Sequence, residues 1–137
     1  MSKKLEINSL SIGMSATSVH KITDEKIRAF AAVSGDNNPI HIDKEFAKNS
    51  PFKKRIAHGA LISSLFSSLF ASDLPGPGFI YISQNTKFRK PVYINDEVKA
   101  VVEITDIDSD RKRVYFKTYC LVGDTEVLTG TAEIYLP

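Results

Sequence analysis

The sequence predicts an α+β protein in which an antiparallel sheet wraps one apolar helix. From Gly59 to Ser72 there is no charged residue. Leu61, Ile62, Leu65, Phe66, Leu69 and Phe70 recur there at helical spacing, and the remaining positions are small. At 100° per residue the two sets fill opposite halves of a helical wheel, so neither half suits water as a charged face would. The run is also too short for a bilayer, which needs roughly 20 apolar residues. A helix buried on nearly all sides is expected. The second observation is the turn signal Asp73-Leu74-Pro75-Gly76-Pro77-Gly78, and the third is the strand-like period of everything after it.

In chain order, residues 1–14 read as a lead-in with a turn at Gly13, and Ser15 to Ile22 as a first strand. Thr23 is placed to cap a helix with Asp24 and Glu25 in its first turn, where the dipole favours acid. Ile27, Phe30, Ala31 and Val33 form its expected buried stripe and Gly35 its end. A polar loop, Ser34 to His41, follows. Asp43 to Lys48 suggests a helical turn broken by Asn49-Ser50-Pro51, and Lys53-Lys54-Arg55 a basic bump. After the apolar helix, strands are expected at Phe79–Phe88, Glu97–Ile104, Val114–Leu121 and Val127–Leu136. Asn95-Asp96, Asp108 to Asp110 and Gly123-Asp124 supply the turns.

A length of 137 residues implies one domain, 1–137, and 42% hydrophobic residues allow it a real core. A net charge of +2, with no basic run interleaved with aromatics, argues against nucleic acid and membrane as partners. Cys120 is the single cysteine, which excludes an intramolecular disulfide and a cysteine-based metal site. The N-terminal lysines are not followed by an apolar core, so a cytoplasmic protein is expected.

Asp36 and His41 carry the chemistry. A carboxylate and an imidazole five residues apart in one loop make an acid/base pair able to work near neutral pH. In isolation such a pair is more often a turn residue and a satisfied histidine. Here the pattern continues: Gly35-Asp36-x-Asn38-Pro39-Ile40-His41-x-Asp43, then Ile56-Ala57-His58-Gly59.

That pattern resembles the MaoC-like dehydratases, specifically the (R)-specific enoyl-CoA hydratases, and the order of elements resembles the hotdog fold. Ser64 to Ser67, Leu74-Pro75-Gly76-x-Gly78, Ile80-Tyr81, Gln84, Phe88 and Pro91-Val92 extend the likeness over nearly the whole chain. One departure is Asn95, where a glycine is common; asparagine also tolerates positive φ. The resemblance implies hydration of a trans-2-enoyl thioester. Asp36 and His41 would hold one water and handle its protons, with Asp36 as base and His41 as proton donor to C2 or the reverse, an order the sequence leaves open. The N–H of Gly59 at a helix start would polarise the thioester carbonyl. Asn38 would orient the loop, Ser67 would hydrogen-bond near the pair, and His58 would support the helix start. Asn38 can equally be a plain turn residue, Ser67 a small packing residue, and Gly59 a packing glycine. No cofactor is implied beyond the coenzyme A of the substrate, and a homodimer is. No metal is expected, because no two of the three histidines have helical ligand spacing. Lys53, Lys54, Arg55, Lys87, Arg89 and Lys90 can meet coenzyme A phosphates or simply form a solvated face.

Two other enzymes and one binding protein compete. A thioesterase on this fold would want a carboxylate on the central helix, and Gly59 to Ser72 has none. An acyl-carrier-protein dehydratase would use the same residues in reverse. A non-catalytic acyl-thioester-binding subunit would be expected to lack Asp36 or His41.

Overall fold

The computed structural model describes residues 5–137; residues 1–4 of the expected lead-in lie outside the described residues. A 3-10 turn at Ile7–Ser9 leads to strand β1, Ser15–Lys21. Helix α1, Asp24–Ser34, is capped as its sequence predicts. Thr23 Oγ1 accepts the Lys26 N–H, and Gly35 closes the helix at φ 78°. Ile27 and Ala31 are buried, but Val33 is 83% exposed. Six residues of helix turn it about 120° away from the Ile27 face, so the expected stripe was one residue too long.

The polar loop contains a helical turn the sequence reading did not anticipate. Asn38 Oδ1 accepts the Ile40 N–H and Pro39 presets the first position, which together start α2, Pro39–Ile42. Asp43 Oδ1 then takes the N–H groups of Glu45 and Phe46 to start α3, Lys44–Lys48.

The expected single helix is two: α4, Gly59–Ser63, and α5, Leu65–Ser72. At the break Ser64 Oγ donates to Leu61 O at 2.6 Å, a serine bonding back to the turn before it, which bends a helix. The burial expectation is corrected as well. Ile62, Phe66, Leu69 and Phe70 are buried, while Ala60, Ser64, Ser67, Ser68 and Ser72 are exposed. Most of the small residues expected as a second buried face lie open on this chain.

Strands β2 (Ile80–Phe88), β3 (Glu97–Asp108), β4 (Arg113–Val122) and β5 (Thr125–Tyr135) join β1 in one antiparallel sheet, ordered β1-β3-β4-β5-β2. β3 runs past the predicted Ile104 by way of a register shift between Ile104 and Asp106. Asn95 takes φ 71° in the turn before β3, as its side chain permits. The core lies between α5 and the concave face of the sheet. Phe70 is its centre, with ring centroids 4.8 Å from Phe116, 5.4 Å from Tyr81 and 5.6 Å from Phe79. Cys120 is buried in β4, and burial pushes its thiol up to about 12.

Candidate active site

Two segments build the site, and they are held in different ways. The first, Ser34 to Asp43, is tied by its own side chains. Ser34 Oγ accepts the Asp36 N–H and Asp36 Oδ1 accepts the Asn38 N–H, both at 3.1 Å. These turns leave Asp36 exposed and swing His41 inward to 8% exposure. The second, Phe52 to Gly59, is anchored to the sheet side. Ala57 N–H donates to Val92 O at 2.7 Å, Ile94 N–H to Arg55 O at 3.2 Å, and Ile56 pairs with Tyr93.

The second segment grips the first at four points. Ile56 N–H donates to Ile40 O at 3.3 Å. His41 Nδ1 donates to Ile56 O at 2.7 Å. Arg55 Nε–H donates to His41 O at 2.6 Å, and its Nη2 donates to Asp24 Oδ1 of α1 at 2.6 Å. His58 Nε2 donates to the backbone oxygen of Asp36 at 3.0 Å. A carbonyl only accepts, so these bonds set both tautomers. His41 carries its proton on Nδ1 and presents a lone pair at Nε2, and His58 presents one at Nδ1.

The imidazoles of His41 and His58 stack with centroids 3.9 Å apart and planes 28° from parallel. Ligand atoms of Asp36, His41 and His58 all lie within 4.8 Å of one another. The expectation of no metal had rested on sequence spacing; the fold brings together donors that sequence keeps 17 residues apart, so that spacing argument no longer applies. The His41 pKa falls below its ordinary 6.5, chiefly through burial and partly through His58. The Ile56 carbonyl and the Asp36 charge oppose the shift.

His58 stands where expected, at the start of α4, but its side chain makes no cap bond there. Its polar edge goes to the Asp36 loop instead, and its Nδ1 is buried with no partner among the described residues. Gly59 opens α4. The N–H groups of Leu61 and Ile62 turn back to His58 O, and no backbone acceptor meets those of Gly59 and Ala60 among the described residues. Because α4 ends at Ser63, little macrodipole stands behind these donors; they act as local N–H groups. A Cβ on Gly59 would meet the Phe88 ring at 2.9 Å, so the packing reason for glycine holds as well.

An apolar cavity of about 490 Å³ runs from His41 and Gly59 between Ile56, Phe88, Pro91 and Val92. Asn38 caps the turn that bears His41, which fits a turn residue and an orienting one alike. Ser67 is not brought to the site; it is exposed on α5 and does not line this cavity. The sequence names Arg55 only as part of a basic run and gives no sign of its bond to His41, nor of the Ile56 carbonyl, which no side chain advertises.

A curved antiparallel sheet around α5 defines a hotdog protein, and an Asp–His loop lies ahead of the helix start. The family model described as MaoC like domain matches residues 11–127, and the chain belongs to that family. It is 40% identical to the (R)-specific enoyl-CoA hydratase of Rhodospirillum rubrum, across 91% of this chain and 87% of that protein. It is 39% identical to the 3-hydroxybutyryl-CoA dehydratase of Methylorubrum extorquens, across 97% and 85%. Among solved structures, the (R)-hydratase of A. caviae involved in PHA biosynthesis superposes with a TM-score of 0.92 at 39% identity, covering 94% of this chain and 98% of that one.

Proposed function

We propose that the chain is an (R)-specific enoyl-CoA hydratase, adding water across the trans-2 double bond of an enoyl-CoA and running the dehydration in reverse. The observation that carries this reading is His41: one nitrogen is pinned to a carbonyl, and the other, with no partner among the described residues, belongs to a ring within 4.8 Å reach of Asp36 on the wall of an apolar cavity. The names of the relatives above support it.

A water lying between Asp36 and His41 finds an acceptor for each of its hydrogens. Neutral His41 has no proton on Nε2 to give until it has taken one, so it acts first as base. As the water oxygen bonds to C3, its proton passes to Nε2 and the π pair shifts through C2 to the thioester oxygen. The Gly59 N–H holds that enolate oxygen. The imidazolium then returns the proton to C2, while the Asp36 carboxylate balances its charge. Hydroxyl and proton arrive from one face, so the addition is syn. This order gives Asp36 the orienting part and His41 both proton steps. We read Asp36, His41 and His58 as an acid/base group and not a metal centre: rings that ligate one ion turn their edges to it, whereas these two overlap by their faces. No resident cofactor enters the scheme.

We further propose a homodimer. Among the described residues β2 pairs only with β5 and its outer edge is open, and Ile80 and Ile82 on it are 50% and 44% exposed, Ile82 beside Ser63 and Ser64 of the helical run. No helix among the described residues is long and apolar enough to cross a membrane, and a cytoplasmic location remains part of the proposal. Loss of enoyl absorbance with crotonyl-CoA tests the reaction. Coupling the product to a dehydrogenase specific for the (S) alcohol tests the face, and rapid turnover there rejects it. Sedimentation as a monomer at micromolar concentration rejects the dimer.

A further inference from the structure

We propose that a lysine-lined cavity behind His41 binds the nucleotide phosphates of coenzyme A; the inference rests on the hydratase reading and names where the carrier's head is held. The cavity, about 480 Å³, is lined by Lys44, Lys48, Lys53, Lys54, Arg55 and Ile94, with no carboxylate. Its volume lies in the range of small-molecule sites, roughly 300–1,000 Å³.

Its four lysine charges are uncompensated among the described residues. Lys44 and Lys48 stand one turn apart on α3, a like-charged spacing that destabilises a helix unless an anion meets it. Lys54 lies over the Tyr93 ring with its ammonium 4.9 Å from the centroid, an arrangement that positions the charge without neutralising it. None of the four lysines forms an ion pair among the described residues. Arg55 does, with Asp24, and so it is a fixed floor, not a free cation.

Position ties this cavity to the substrate. Phe52 and Ile56 line the apolar cavity, while Lys53, Lys54 and Arg55, between them in the chain, line the basic one. One stretch of chain is the wall of both, and Arg55 donates directly to the backbone of His41. An arm extended from a thioester at Gly59 past Phe52 meets the basic cavity next in the chain, and the group at the end of that arm carries phosphates. A concave site takes a compact polyphosphate inside it; the convex acidic surface of a carrier protein would reach only its rim. Clustered ammonium groups and phosphate oxygens form charge-assisted hydrogen bonds.

The test is calorimetric titration of adenosine 3′,5′-bisphosphate into the full chain and into two double variants, Lys44→Gln/Lys48→Gln on the helix and Lys53→Gln/Lys54→Gln on the turn. Binding to the parent, weakened about tenfold or more in both variants, supports the site. The same variants should raise KM for crotonyl-CoA by a similar factor with kcat held within about twofold. Crotonyl-N-acetylcysteamine, which has no phosphate, should show no such change. Unaltered nucleotide affinity in both variants overturns the proposal. So does a KM that rises for a crotonyl carrier protein and not for crotonyl-CoA. If the parent hydrates none of these thioesters, the hydratase reading fails, and the titration still decides this site.

Discussion

The two segments that meet at the site differ in what holds them. Ser34 to Asp43 bends through side-chain turns made with itself and carries Asp36 and His41. Phe52 to Gly59 leaves a turn to run along the Val92–Ile94 stretch, backbone-bonded to it at Arg55 and Ala57, and supplies three of its four grips through backbone or buried polar atoms. One segment bears the reacting groups and the other sets their geometry. A self-tied loop tolerates exposure; the exactness of its aim is borrowed from the better-anchored neighbour.

The largest expected effect comes from emptying the first segment. Asp36→Asn or His41→Gln should each lower kcat/KM for crotonyl-CoA by roughly 10²–10⁴, with far-UV circular dichroism unchanged. The double variant should lose far less than the product, because the two act as a unit. Full activity in either single variant ends the assignment.

Breaking a grip comes next. His58→Phe keeps an aromatic ring against His41 but leaves the Asp36 carbonyl without its donor. Small misplacement of a reacting group costs on the order of 10²-fold, so kcat should fall by about that much with KM nearly unchanged. A rise in KM alone would move His58 from positioning to binding.

The pH profile sharpens the same contrast. His41 must be neutral to act as base, and its pKa lies below 6.5, so activity should persist through neutrality and fall only in an acid limb below that value. Asp36 raises the His41 pKa, so the residual activity of Asp36→Asn should show its limb at still lower pH. A limb at or above pH 7 in the parent contradicts the burial account. The smallest effect belongs to the loop's own cap. Asn38→Ala removes the Ile40 N–H acceptor and should cost roughly 1 kcal/mol in urea unfolding, with only a few-fold loss of rate.

How far this was legible from sequence follows the same division. The helix after Gly59 and the strands that follow it announce themselves because their burial is periodic. The pair Asp36 and His41 is legible because the surrounding residues match a family pattern. The grips are not. Ile56 acts through a carbonyl that every residue has, and Arg55 sits in a run of cations where a solvated face is the simpler expectation. The break at Ser64 escaped notice because serine suits a packed helix as well as a bent one. Ser67 carried over from the resemblance, yet this chain leaves it exposed.

Cys120 turns the middle of the sheet into a timer. β4 has a neighbour on each side, and its thiol, held at about 12, offers almost no thiolate for an alkylating reagent at neutral pH while the sheet is closed. Labelling therefore waits for β4 to part from β3 or β5, an opening that unfastens the core around Phe116. The chain has no second cysteine to blur the signal. A thioester analogue that seats between the two site segments should slow that clock by the factor with which it binds, so occupancy becomes readable from a reagent that never touches the site.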